Sequence, residues 1–300
     1  MNDYILTLVG NAALLSMLAV SIYLMVLVGE LSFGHQGFFG IGAYSAALVT
    51  SGYDFNPVFG IGAAIVAGAI SGAALAILTV PLRGLMFLLS TLAFGEMVRT
   101  GLGLWYFDPD GPGPKSGPAG VEGYSGLRFI FDSGLGLAGA TAFVVLALAL
   151  VMIGVMLMER TQWGARVRAV GQNHLLAEAI GLRVTFIKIA VITLSAALAA
   201  FSGAMFAFFT TFIEPANFSV MLGIHALAYE LIGGIGHVMA VFIGVGLDVI
   251  VLQAVHGLAE YRMIIFGGCI ALLLRYRPDG LLDVPTVLAI KKRLRGKKRC

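Results

Sequence analysis

The chain has 300 residues, of which 59% are hydrophobic and only 12% charged, and its formal net charge is +3. Soluble domains carry about 25% charged residues, so this composition cannot clothe a water-soluble surface and excludes an ordinary soluble globular fold. Cys269 lies in an apolar segment and Cys300 in a basic tail, so no disulfide framework is suggested.

The first apolar run, residues 5–29, contains no acid or base. At ~1.5 Å per residue it crosses a ~30 Å hydrocarbon layer. It is too long for a signal-peptide core, has no basic residue ahead of it and meets no small-residue cleavage site before Glu30, so it reads as a retained helix. Further apolar segments follow at 31–50, 58–80, 85–105, 134–158 and 189–213. Three shorter or more polar ones lie at 220–235, 238–255 and 263–274. The expectation is an all-α polytopic membrane protein, a bundle of about eight transmembrane helices (range about eight to ten), with broken or re-entrant helices among the last three. One transmembrane domain over residues 1–282, then a basic tail at 283–300, accounts for the chain. The pair Gly68 and Gly72 and the row Ser195, Ala199, Gly203 place small residues one helical turn apart, as tight helix packing in lipid requires.

Lys and Arg set the expected orientation, because short basic loops stay in the cytoplasm. Arg160, Arg166, Arg168, Arg183 and Lys188 fall in the loop 159–188, Arg83 lies between the third and fourth segments, and a basic cluster ends the chain behind Arg275 and Arg277. These belong on the cytoplasmic side. The loop 107–131, with nearly balanced charge and frequent Pro and Gly, belongs outside. The amino terminus is external if residues 31–50 span fully and internal if they are re-entrant.

No His-Glu-x-x-His, Gly-x-Ser-x-Gly, Cys-x-x-Cys or phosphate-cradling loop occurs. The histidines at 35, 174, 225, 237 and 256 have no metal-site spacing. An enzyme, a cofactor and a metal are therefore not expected. Charged residues within spans are the marks of ion-coupled transport. Glu96 and Arg99 share a helix face and read as a structural pair near the outer end of the fourth span. Glu230 and Asp248 flank the bend Gly233-Gly234-Ile235-Gly236 and read as snorkelling or facing the inner water layer.

The loop 159–188 reads as a short surface helix, with Asn173 as N-cap, Leu175, Leu176, Ala179 and Ile180 as an apolar face, and Gly181 as its stop. It is either a knob for a cytoplasmic partner or an amphipathic helix lying on lipid.

Residues 171–181, with the core Ala177-Glu178-Ala179-Ile180-Gly181, resemble the EAA-type coupling segment of ABC importer permeases. The stretch Leu31-Ser32-Phe33-Gly34-His35-Gln36-Gly37-Phe38-Phe39-Gly40-Ile41-Gly42-Ala43-Tyr44 is similar to the LivM-type permease family for branched-chain amino acids. So are Thr91-Leu92-Ala93-Phe94-Gly95-Glu96 and Arg277-Pro278-Asp279-Gly280-Leu281, in the same order and spacing. The likeness runs from about residue 20 to 282. One departure is His237-Val238-Met239-Ala240, where the family continues with a small polar residue and further glycines; it points to altered helix geometry or an altered substrate.

The resemblance implies a multi-pass permease subunit of a bacterial-type inner membrane, its C-terminus cytoplasmic. It implies a second homologous permease, ATP-binding cassette subunits and an external solute-binding protein as partners, with no ATPase site in this chain and no nucleic acid. Leu175, Leu176, Glu178, Ala179 and Gly181 are then the residues coupling to the ATPase. Ser32, His35, Gln36 and Tyr44, polar groups among glycines at membrane depth, are the candidates for the translocation pathway. Leu, Ile or Val is the first substrate expectation. Urea, short amides or small organic acids, or an ion-coupled secondary transporter, are the alternatives.

Overall fold

The computed structural model describes residues 2–53, 55–107, 118–125, 127, 134, 136–234, 237–249 and 262–276. Most of the loop 107–131, the bend residues Ile235 and Gly236, the stretch 277–281 and the basic tail 283–300 lie outside these.

Among the described residues, five helices are long and apolar enough to cross a membrane: α1 (Asn2–Leu27), α3 (Pro57–Thr79), α4 (Leu85–Leu104), α5 (Gly136–Arg160) and α8 (Val184–Thr210). A further apolar unit, either a broken span or a re-entrant hairpin, joins α9 (Val220–Gly233) to the stretch Val238–Val249, which holds a turn Val238–Ala240 and α10 (Val241–Gly246) and is bent against α9 by 114°. Two apolar helices are shorter: α2 (His35–Ala47), prolonged by a π-helical turn Leu48–Gly52, and α11 (Arg262–Tyr276). The all-α polytopic expectation holds; against the expected eight or so transmembrane helices, the described residues show five of spanning length, six with the bent pair, and two shorter apolar helices. Two small helices, α6 (Gln162–Gln172) and α7 (His174–Ala179), complete the set.

The register of the bundle follows from a few side chains. Along α1 and α8, Ser202 donates to the Leu14 carbonyl at 3.1 Å, Ser195 to that of Ser21 at 2.5 Å, and Lys188 pairs with Glu30. As the numbers rise in one helix they fall in the other, so the two are antiparallel. Thr141 donates to the Leu6 carbonyl at 3.3 Å, while Tyr23 bonds Glu159 far along the same two helices, so α5 runs parallel to α1. On its other side α8 receives α3, where the Gly68 and Gly72 α-carbons sit against Ala196 and Ala200. Small residues there let the backbones approach, as the glycine spacing predicts.

Into the centre goes α2, nearly all of it buried. Its backbone lies against α8, because a Cβ at Gly42 would meet the Ala200 carbonyl and one at Gly203 the Phe39 carbonyl. On the α4 side, Gly34 and Gly37 lie against Thr91 and Gly95. The apolar segment at 31–50 is thus the hub that α3, α4 and α8 surround, rather than a lipid-facing helix.

Arg83, Arg160, Arg166, Arg168, Arg183 and Lys188 gather where α1, α3 and α5 end and where α4 and α8 begin. At the opposite end Gly10 of α1 meets Phe209 of α8, and Tyr124 bridges to Ile213. With the stretch 28–34 leading into it, α2 runs from the basic end to this opposite end. The amino terminus therefore lies at the end away from the basic loops, the arrangement expected if residues 31–50 cross fully.

Candidate functional site

At the basic end, the side chain of Thr161 accepts the Gly164 N–H at 3.3 Å and starts α6. One residue beyond α6, the Asn173 carboxamide accepts the N–H groups of both Leu175 and Leu176 at 3.1 Å and starts α7. Gly181, at φ +86°, stops it: its N–H donates to Glu178 and the Leu182 N–H to Ala177, satisfying the last carbonyls. Of the short helix, Ala177 faces the bundle at 2% exposure, whereas Leu175, Leu176 and Ile180 are 65%, 62% and 68% exposed. Glu178, Ala179 and Gly181 are exposed as well. All five proposed coupling residues thus lie on one accessible knob.

That knob is braced from behind. Gly171 packs on the backbone of Leu27, where only a hydrogen fits, and Gly29 at φ +84° shapes the facing turn. Arg168 reaches Glu159 at 3.1 Å and the Tyr23 hydroxyl at 3.3 Å. His174, the first residue of α7, contacts Arg83 from the α3–α4 connection.

The four pathway candidates fall into two groups. Ser32 accepts the Gly34 N–H at 3.2 Å and shapes the entry to α2. His35 is paired with Ser195 at 2.7 Å, and through it with the Ser21 carbonyl, so it knots α2 to α8 and α1. Gln36 and Tyr44 lie on another face, two turns apart, with Gly40 between them. Gln36 is fully buried and neither atom of its carboxamide has a hydrogen-bond partner among the described residues. It fills a slot made by two glycines, Gly95 of α4 and Gly223 of α9. The Tyr44 hydroxyl is likewise buried with no hydrogen-bond partner among the described residues, its ring 6.0 Å from that of Phe218 and 6.4 Å from that of Trp105. Unsatisfied buried polar groups are rare and costly; this face holds the larger share of them, and on the other face His35 Nδ1 is likewise buried with no hydrogen-bond partner among the described residues.

Towards the end opposite the basic loops a cavity of about 290 Å³ opens between α1, α2, α8 and α9. Leu14, Leu15, Phe39 and Leu222 give it apolar walls, the carboxamides of Asn11 and Asn217 give it polar ones, and no charged residue lines it. Sequence reasoning missed it; the one signal was Asn11, an amide inside an otherwise apolar run.

The intramembrane charges also settle into place. Glu96 accepts from Arg99 at 2.7 Å, the pair that their spacing implies. Glu230 and Asp248 are not at a water layer: both are fully buried. Tyr229 donates to Asp248 at 2.6 Å, while the Glu230 oxygens have no hydrogen-bond partner among the described residues. The reason is the bend, which folds α10 back on α9 and carries both acids inward. His237, the departure noted above, accepts the Met239 N–H at 3.2 Å and caps the turn that opens this return.

Comparison with known proteins agrees with this architecture. The chain is 31% identical over 281 residues to the high-affinity branched-chain amino acid transport system permease protein LivM of Salmonella typhimurium, and 30% identical over 283 residues to LivM of Escherichia coli. Each alignment covers 86% of this chain and 65% of the relative, so the chain spans a little under two thirds of the length of these relatives. It is also 26% identical over 250 residues to the inner membrane ABC transporter permease protein YjfF of Escherichia coli, covering 81% of this chain and 73% of that one. No solved structure gives a significant match. The family model described as branched-chain amino acid transport system, permease component, matches residues 4–274, and with this nearly complete match the multi-pass membrane chain belongs to that ABC transporter permease family.

Proposed function

We propose that this chain is the permease subunit of an ATP-driven importer for branched-chain or related neutral amino acids. The observation that carries the reading is the braced knob of α7, whose leucines are exposed at the basic end while Ala177 turns inward. An apolar knob held by a capped, glycine-stopped helix fits a groove on a soluble ATPase, and its backing by Arg83, Arg168 and Gly171 suits it to pass force into the bundle. In this reading the basic end is cytoplasmic, residues 159–188 form the coupling loop, and the chain has no ATPase site of its own. The remaining partners are a second homologous permease and an external solute-binding protein.

Alternating access then means that closure of the ATPase pair moves α7 and biases the bundle between two packings. The uncharged lining of the Asn11–Asn217 cavity favours a solute with no net charge, since an uncompensated charge is expensive to bury. Its apolar walls suit an aliphatic side chain. Gln36 and Tyr44 supply the unspent polar groups further along α2. Uptake of labelled leucine by cells expressing the full transporter should survive an uncoupler so long as ATP is held constant. Abolition of uptake by collapse of the proton and sodium gradients at constant ATP would instead assign the chain to ion-coupled transport.

A further inference from the structure

The slot that holds Gln36 has walls on two helices, and both walls are glycine. A Cβ on Gly95 of α4 would collide with one end of the carboxamide, and a Cβ on Gly223 of α9 with the other. A gap cleared of side chains on both sides is cut to the size of this amide. Neither wall has a side chain to answer it, so donor and acceptor stay unmet among the described residues. A methionine would fill the same space without that cost. One turn before Gly95, the Thr91 hydroxyl is already engaged: it accepts the Phe33 N–H at 3.1 Å and donates to the Leu88 carbonyl at 2.8 Å. The slot also adjoins the cavity described above. Gly223 follows the lining residue Leu222, and Gln36 lies about one helical turn before the lining residue Phe39.

We infer that Gln36 recognises the main-chain end of an aliphatic amino acid, one end of its carboxamide accepting from the ammonium while the other donates to the carboxylate, with the aliphatic chain against Phe39 and Leu222. The inference rests on the importer reading above and deepens it by naming the residue that selects a zwitterion. An amide carries a donor and an acceptor without net charge, so it complements both ends of a zwitterion and buries no charge of its own. A carboxylate or a guanidinium in its place would complement one end and repel the other. Tyr44 cannot stand in for it. Eight residues on along α2, it is ~12 Å away, too far to share one small solute, and it is the next polar group outward on the same face. In this structure α4 and α9 close on the two ends of the amide together. A packing in which these helices part uncovers donor and acceptor at once.

The test uses the assembled permease–ATPase complex in lipid nanodiscs without the solute-binding protein, so that ligand meets the permease directly. Labelled leucine reports binding, and two analogues compete with it: 4-methylpentanoate, which lacks the ammonium, and 3-methylbutylamine, which lacks the carboxylate. Each analogue forfeits a hydrogen bond to a charged group and should bind at least about tenfold more weakly than leucine. Gln36→Met should weaken leucine binding by at least about tenfold as well, while its thermal midpoint does not fall, a combination that a purely structural amide would not give. Absence of leucine binding to the wild-type complex, or competition by either analogue as strong as that of leucine, would overturn the inference without any variant. So would undiminished leucine binding by Gln36→Met. ATP-dependent leucine uptake by the wild-type transporter with its binding protein, measured alongside, keeps the two readings apart. Intact uptake with any of those results rejects the role of Gln36 alone, whereas failure of ATP-dependent uptake rejects the importer reading with it.

Discussion

Replacing Leu175 and Leu176 together by aspartate separates a docking knob from a helix that merely lies on lipid. Both side chains are more than half exposed in the chain itself, and exposed substitutions away from caps cost within about 0.5 kcal/mol of stability. Neither change touches Asn173, whose side chain binds the backbone N–H groups of these residues rather than their side chains. The permease should therefore insert and accumulate normally. If the two leucines enter an apolar groove, each aspartate carries an uncompensated charge into it. At about 2 kcal/mol per site, a low figure for a buried charge, the pair costs about 4 kcal/mol. That is roughly a thousandfold in affinity for the ATPase. Co-purification of the ATPase should fail and uptake should vanish, whereas Ala177→Asp, buried against the bundle, should lower expression of the permease itself. Normal ATPase recovery and uptake with the double aspartate would refute the assigned role of α7.

Four further outcomes follow from packing and charge pairing. Gln36→Met removes an unsatisfied buried amide while keeping its volume, so the thermal midpoint in detergent should rise, by the equivalent of about 1 kcal/mol, while uptake falls; a lower midpoint with intact uptake would mean that the carboxamide is structural. Gly203→Val drives a side chain into the Phe39 carbonyl, with the Ala43 nitrogen only 3.0 Å from the first added carbon, and should cost about 3 kcal/mol. Gly62→Ala, with nothing within 4 Å, should be neutral in the same melting assay. Lys188→Met strands the buried Glu30 carboxylate and should cost about 3–5 kcal/mol, most of it recovered by adding Glu30→Gln; equal melting of the single and double variants would show that the pair is not coupled.

What was legible in the sequence was what depends on neighbours along the chain. Asn173 and Gly181 bound α7 by local capping chemistry, and run length alone located α1, α3, α5 and α8. The pairing of Glu96 with Arg99 needed only helical spacing. What stayed hidden was fixed by distant segments. Residues 31–50 are apolar enough to pass for an ordinary span. Only the close approach of α4 and α8 to Gly34, Gly37 and Gly42, and of Gly60 in α3 to Thr50, reveals a buried hub. His35 and Gln36 are adjacent in sequence and alike in polarity, yet one ring nitrogen of His35 is bonded to Ser195 whereas neither carboxamide atom of Gln36 has a hydrogen-bond partner among the described residues. Which is which depends on the side from which α8 arrives. The depth of Glu230 and Asp248 turned on the angle of a bend that composition does not encode.

The hydrogen bond between His35 and Ser195 joins residues 160 apart in sequence, and that separation sets an order of events at the ribosome. At about 5–20 residues per second, Ser195 is made roughly 8–32 s after His35. Throughout that interval α2 is a short segment with Ser32 just ahead of it, His35 and Gln36 in its first turn and no α8 against which to lay its glycines. It has too little apolar length and too many open polar groups to rest in lipid alone, so it waits in the insertion machinery or at the water interface until α8 is synthesised. A chain stopped before residue 184 should leave a cysteine placed at Gly42 open to thiol reagents that the complete chain shuts out. The helix at the heart of the bundle is then the last of the early segments to take its seat.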